Sequence, residues 1–481
     1  MLERLLQAGR DARARSEWRG LLEDCHQLLS ARGESNSLVI AARAVDRYRS
    51  LAAVDVLRFL DALANGFDPD PARVLGCAEE YARVRSADSL IALWRAAESP
   101  RQELLRRLNR APGATAQIVA MRAMMLAHMR SHPQLRAIDA DFHHLLSSWF
   151  NPGFLHLTKV DWNSPASLLE KLIHHEAVHR IDGWDDLRRR LAPDRRCFAF
   201  FHPALPDEPL IFVEVALLET MPAAIGPLLE REDSSREENG REPNERFRLA
   251  AFYSISNCQP GLRGVNLGEF LIKRVAEQLQ AEQPGLKVFC TLSPIPGFVS
   301  WLGHLESVRS VEAARVRKPV LKELDQALSV LRGRHGHDLS ASGQQKSPGA
   351  RPALPVSLAG VEDTKTIEAA RVHASPASSP GLAHESWSDE DLRTLQRLCA
   401  LYLLQTSATD ERPSDPVARF HLNNGARLER INLRADLSRK GLQESFGLMV
   451  NYLYDLNRIE VNHESFANDR VRASRSVLSL L

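Results

Sequence analysis

Arg248-Leu-Ala-Ala-Phe-Tyr-Ser-Ile-Ser256 is an apolar, β-prone run that empties into Asn257-Cys-Gln-Pro-Gly-Leu-Arg-Gly-Val-Asn-Leu-Gly268. The run has the composition of a strand inside a sheet. The turn carries Gly261, Gly264 and Gly268 at a spacing that lets backbone approach a bulky anion. An amphipathic helix follows, with Leu267, Phe270, Leu271, Val275 and Leu279 on one face and Lys273, Arg274, Glu277 and Gln278 on the other. Pro284-Gly285 ends it, and a second strand, Leu286-Lys-Val-Phe-Cys-Thr-Leu292, delivers Ser293-Pro-Ile-Pro-Gly297. Strand, glycine turn and helix N-terminus form a phosphate cradle, because unpaired N–H groups and the positive end of the helix dipole point outward together.

Composition bounds what surrounds this unit. The 481 residues suffice for two or three domains with a sizeable core. Lys+Arg 62 against Asp+Glu 61 leaves a formal charge of +1, so no global field recruits nucleic acid or an anionic membrane. The six cysteines are scattered without a C-x-x-C pair, which points to reduced thiols in a cytoplasmic compartment. No apolar run approaches the roughly 20 residues that span a bilayer. Glu3 and Asp11 among the N-terminal arginines argue against an organellar presequence. Ser479-Leu-Leu481 differs from a Ser-Lys-Leu peroxisomal address and is not read as one.

Residues 1–148 read as helix after helix, a bundle with no chemistry of its own. Val56, Leu60 and Leu63 share a face, Asp70-Pro71 opens a helix, and Ser99-Pro-Arg-Gln102 has the form of a capping box. Ile118, Met121, Met125 and Met129 recur with helical period and are expected in a core or subunit contact. Past Asn151-Pro-Gly153 a helix is predicted from Ser164-Pro165 to about Leu191. A hairpin of Arg195–Pro203 and Pro209–Leu217 follows, then a charged, solvated loop over 231–248. Val311–Leu331 is predicted helical. Residues 334–386 are rich in Gly, Ser, Pro and Ala and are expected to be a disordered insertion. Ser388-Asp-Glu-Asp391 is a capping box opening a helix, and a last long helix is predicted through Leu442, Phe446, Met449, Val450 and Leu453.

Three motifs bear on chemistry. His175-Glu-Ala-Val-His179 matches H-E-x-x-H, which on a helix would offer zinc two imidazoles and a carboxylate base. No third ligand motif follows, and the two histidines continue the Leu168/Leu172 face; the expectation is packed histidines at a domain seam, with no metal. Ser293-Pro294 reads most simply as an N-cap before a helix-opening proline, with contact to an acyl-CoA as the functional alternative. His421, between Phe420 and Leu422 before the Asn423-Asn-Gly425 turn, has an ordinary pKa near 6.5 and so suits proton donation near neutrality.

Several of these stretches together resemble the malonyl-CoA decarboxylase family. The resemblance is carried by Arg195-Arg-Cys-Phe-Ala-Phe-Phe-His202, Glu208–Leu217, Gly261–Arg274, Thr291-Leu-Ser-Pro-Ile-Pro-Gly-Phe298, Phe420-His-Leu-Asn-Asn-Gly-Ala426 and Gly447-Leu-Met-Val-Asn-Tyr-Leu-Tyr454. It implies an α+β chain: an N-terminal helical domain (1–148) that helps form tetramers, then a catalytic domain (149–481) with the acetyltransferase (GNAT) fold. It also implies that Ser293 and His421 are catalytic with Tyr454 beside them, and that Arg263, Gly264, Val265, Asn266, Leu267, Gly268 and Glu269 bind CoA. Where some members carry a glutamate, this chain has Asn266. The implied reaction converts malonyl-CoA to acetyl-CoA and CO2. It needs no biotin or metal, because the thioester carbonyl is itself the electron sink. Acyl transfer to an amine, or acyl-CoA binding alone, is the alternative for the same fold.

Overall fold

In the computed structural model, residues 17–30, 36–230, 247–265, 267, 271–308, 318–344, 387–408 and 414–481 are described. Most of the charged loop (231–246), Asn266, Gly268, Glu269, Phe270 and residues 345–386 lie outside that set, as do residues 1–16 and the first part of the helix expected over Val311–Leu331.

The N-terminal region is helical among its described residues, from Ser37–Ser50 to Leu135–Trp149. Its start signals work as read. Asp70 caps Pro71–Val84 by accepting from Ala72 N, and Ser99 caps Pro100–Leu108 through Arg101 N. Gln102 does not close the box; its amide donates to Asp141 at 2.8 Å instead. Ile118, Met121 and Met125 are buried in a core continuous with the sheet behind them.

Seven strands form one sheet: β1 (His156–Val160), β2 (Arg195–Phe201), β3 (Ile211–Leu218), β4 (Leu249–Asn257), β5 (Val288–Thr291), β6 (Arg427–Asn432) and β7 (Met449–Tyr454), in the order β1-β2-β3-β4-β5-β7-β6. The expected hairpin is β2–β3. All pairs are antiparallel except β4 with β5, which the helix Leu271–Glu282 joins as a crossover. This helical region followed by a mixed α/β domain is the expected GNAT-like architecture. The β4/β5 ladder stops at Phe252/Thr291, while β4 runs on to Asn257. β5 is already paired with β7 at Phe289 and Cys290, and beyond Leu292 the chain keeps only that side, through Ser293 and Val450. The two parallel strands therefore diverge, and Tyr253 forms a bulge against β3 where the divergence begins.

Three sequence expectations change here. The helix from Ser164-Pro165 stops at His175, and Trp184–Arg190 is a separate helix. At the break the Glu176 carboxylate takes the backbone N–H groups of Val178 and His179, at 2.9 and 2.7 Å, in competition with helical bonding. The last long helix is really a short helix, Arg439–Ser445, followed by β7. Phe446 and Gly447 both take positive φ (52° and 77°), which no α-helix continues through. Finally, the helix expected over Val311–Leu331 is Lys318–Gln344, kinked at His335; the stretch from Arg334 thus opens as ordered helix.

Candidate active site

The divergence of β4 and β5 places Ser293. Its backbone exchanges two hydrogen bonds with Val450, both 2.9 Å. Ser293 is therefore not an N-cap: the helix beyond it, Phe298–His304, is preceded by Gly297. Its hydroxyl donates to Thr291 Oγ1 at 2.8 Å and meets His421 Nε2 at 2.9 Å.

His421 comes from 128 residues further along the chain. It sits on the helix Pro416–Asn423, whose N-terminus Asp415 caps through Val417 N and Ala418 N. The far end is held by Asn462, whose amide donates to Gly425 O at 3.0 Å. The imidazole stacks on Tyr452 with ring centroids 4.6 Å apart. Its Nδ1 lies 2.9 Å from the hydroxyl of Tyr454, at the end of β7. Phe252 packs edge-on against Tyr454 at 6.4 Å. Ser293, His421, Tyr454 and Thr291 are all buried.

With Ser293 donating to Thr291, one polarity satisfies the whole chain: Tyr454 O–H to Nδ1, Nε2–H to Ser293 Oγ, and Ser293 O–H to Thr291. Thr291 Oγ1 also accepts Tyr452 N–H at 3.2 Å. Rotating the hydroxyls and moving one ring proton reverses it, so the chain can carry a proton either way. Burial lowers the His421 pKa to about 3. The ordinary value near 6.5 expected from sequence is thus displaced, because a charged imidazole loses its hydration here and no described residue supplies a counter-ion.

The glycine turn is built differently. Pro260–Leu262 is a single 3₁₀ turn, with Arg263 and Gly264 exposed after it and Val265 and Leu267 buried. Side chains of the last two pack inward, so only their backbone is available to a ligand. The turn is held from the helical domain: Arg122, 2% exposed, donates to Gly261 O at 2.8 Å and pairs with Asp139 at 2.7 Å. His143 Nε2 lies 3.0 Å from Gly264 O. A Cβ at Gly261 would sit 1.9 Å from Val119 O, so this position admits nothing larger. Asn266, Gly268 and Glu269 lie outside the described residues.

His175 and His179 are not presented as an H-E-x-x-H pair, because the helix ends between them. Glu176 instead accepts from the hydroxyls of Ser254 and Ser256 on β4, at 2.8 and 3.1 Å. Burial lowers the His179 pKa to about 4. His179 is buried and His175 half-buried, and the groups around them, Lys171, Glu208, Arg190 and Asp436 among them, belong to the same C-terminal region and not to a seam with the N-terminal helices. Among the described residues no three His, Cys, Asp or Glu side chains converge as a metal site. Thr291, Tyr452 and Asp415 were missed in sequence; only Asp415-Pro416 left a signal, the same cap-and-proline pair that marks Asp70-Pro71.

A helical region followed by a mixed sheet whose one parallel strand pair diverges marks a GNAT-like protein, and a buried serine, histidine and tyrosine lie in hydrogen-bonded line at that divergence. Comparison with known proteins is more specific. Residues 153–481 match the family model for the malonyl-CoA decarboxylase C-terminal domain, and residues 67–150 that for its N-terminal domain. The mouse mitochondrial malonyl-CoA decarboxylase is 35% identical over 440 residues, 88% of this chain and 81% of that protein. The crystal structure of malonyl-CoA decarboxylase from Rhodopseudomonas palustris is 42% identical, covers 96% of this chain and 99% of its own, and superposes with a TM-score of 0.75. That from Agrobacterium vitis is also 42% identical over the same shares, with a TM-score of 0.72. The chain belongs to the malonyl-CoA decarboxylase family.

Proposed function

We propose that this protein is a carboxy-lyase that converts malonyl-CoA to acetyl-CoA and CO2. The observation that carries the reading is the buried line from Tyr454 through His421 to Ser293, in a chain of this family. Loss of CO2 leaves an enolate on the thioester, which must be held and then protonated on carbon. Desolvation favours the neutral form of the His421 imidazole. The malonyl carboxylate brings the missing counter-charge into the pocket and draws a proton onto the imidazole. CO2 leaves as a neutral molecule, and the electron pair of the broken C–C bond carries the negative charge onto the enolate. The imidazolium beside that enolate supplies the proton to carbon, directly or through Ser293, and returns to its neutral form. Ser293 orients the malonyl group, and Tyr454 holds the ring from Nδ1. The backbone of Arg263–Glu269 holds the CoA phosphates, and the pantetheine arm lies where β4 and β5 diverge.

The reaction needs no metal or biotin, so chelator-treated protein is expected to keep its rate. We place the domain boundary near residue 148, which the two family-model matches at 67–150 and 153–481 support. The cytoplasm suits the six free cysteines; no helix among the described residues is long and apolar enough to cross a membrane. A homotetramer is supported by the helical hairpin Pro71–Val84 and Ala87–Ala97. Its first helix buries no side chain, and Leu75, Leu90, Ile91 and Trp94 are exposed.

The test is direct. Pure protein incubated with malonyl-CoA and no amine is expected to release acetyl-CoA and CO2 in equal amounts. Turnover that appears only with an amine acceptor would make it an acyltransferase, and binding without turnover an acyl-CoA-binding module.

A further inference from the structure

Ser293 and His421 are anchored to different parts of the fold. Ser293 is fixed to β7 by its two backbone bonds with Val450. His421 rides on a helix of eight residues. Their 2.9 Å approach therefore depends on whatever joins the Ser293 segment to that helix. One side chain does so close to both: Asp415, fully buried. Its Oδ1 caps the His421 helix at Val417 N and Ala418 N, at 3.0 and 3.1 Å. Its Oδ2 accepts the backbone N–H of Gly297, four residues past Ser293, at 3.0 Å.

The surroundings keep this carboxylate in place. Tyr402 reaches Oδ2 at 3.5 Å, and its ring packs against both Phe298 and Trp301, which stack on each other in the helix that follows Gly297. A Cβ at Gly297 would stand 2.2 Å from the Tyr402 hydroxyl and 3.3 Å from Oδ2. The loop approaches this closely only because position 297 has no side chain. Burial pushes the Asp415 carboxyl up, against the pull of its three backbone N–H partners. An ordinary N-cap is exposed and needs one oxygen. This one is buried and uses both, the second on a different segment.

We propose that Asp415 is a positioning residue for the reaction, clamping the Ser293 loop to the His421 helix and so setting the Ser293–His421 hydrogen bond. The inference rests on the reading of Ser293 and His421 as the catalytic pair.

Three substitutions separate the clamp from the cap. Asp415→Ser keeps an N-cap hydroxyl too short to reach Gly297. Asp415→Asn keeps the capping oxygen but turns an N–H toward the Gly297 N–H. Gly297→Ala leaves the cap intact and pushes the loop away from the other side. Each is expected to lower kcat for acetyl-CoA formation about 10- to 100-fold, the cost of sub-ångström to ångström misplacement of reacting groups. KM for malonyl-CoA should stay within about threefold of wild type. Combined with Ser293→Ala, Asp415→Ser should add no further loss in kcat, because the group it positions is gone. Wild-type kcat in Asp415→Ser and Asp415→Asn would reduce the residue to a helix cap and overturn the proposal. So would losses that multiply in the double variant. If Ser293→Ala alone keeps its rate, the reading of the site fails first. A variant that folds poorly is replaced by Gly297→Ala, which leaves Asp415 untouched.

Discussion

The Ser293–His421–Tyr454 line and the Pro260–Gly264 turn, the proposed chemical and CoA-binding parts of the site, are held in place in opposite ways. The first is buried and held by sheet register, aromatic stacking and hydrogen bonds at both ring nitrogens of His421. The second presents exposed backbone and is steadied from outside, by Arg122 and His143 of the helical domain. The N-terminal helices are thus tied structurally to the candidate CoA turn. Chemistry and binding should then respond to different substitutions.

The sharpest way to break the contrast is at the buried line. His421→Ala and Ser293→Ala should each lower kcat roughly a hundred- to ten-thousand-fold, the usual range for a general acid, while circular dichroism stays native. Near-normal acetyl-CoA formation in both would end the assignment. Next comes the turn. Arg122→Met should raise KM for malonyl-CoA about tenfold with kcat within about twofold, since it frees Gly261 without touching the proton path. If kcat fell as far as in His421→Ala, the two regions would not be separable. A smaller effect is expected at Tyr454→Phe, about tenfold in kcat, because the ring keeps its stacking partner and loses only the Nδ1 contact.

The smallest effect is in stability. The His421 pKa is about 3 in the folded protein and ordinary, near 6.5, when unfolded. Between those values the unfolded chain binds the proton and the folded one does not. Stability therefore falls as pH drops from about 6.5 toward 3, and none of this loss operates above that window. Thermal melts of His421→Gln should show a shallower decline from pH 7 to 5 than wild type. Equal slopes would mean that the imidazole is not desolvated as described. The neutral resting state also predicts no inflection near pH 6.5 in kcat/KM from this group.

Much of this was legible in the residues because it is local. The strand, turn, helix and strand from Leu249 to Thr291, the β2–β3 hairpin, and the caps at Asp70 and Ser388 follow from spacing and from side chains that satisfy their own helix ends. Where local signals conflict, the reading failed. Leu442, Phe446, Val450 and Leu453 fit a helical period, yet positive φ at Phe446 and Gly447 breaks it and turns Tyr452 and Tyr454 onto a strand. The H-E-x-x-H pattern at His175 dissolved when Glu176 bonded to the turn and to two serines of β4.

The residues alone carried the N-terminal helices, the β2–β3 hairpin, the unit from Leu249 to Thr291 and, through a run of motifs, the residues to watch; β1, β6 and β7 did not stand out in them. Only the tertiary structure decided that Ser293 bridges to Val450, that β4 and β5 part where they do, and that His421 is desolvated between Tyr452 and Tyr454. The reason is physical. Capping and periodicity act over a few residues, whereas register, burial and the pKa they impose depend on which distant segments share a core.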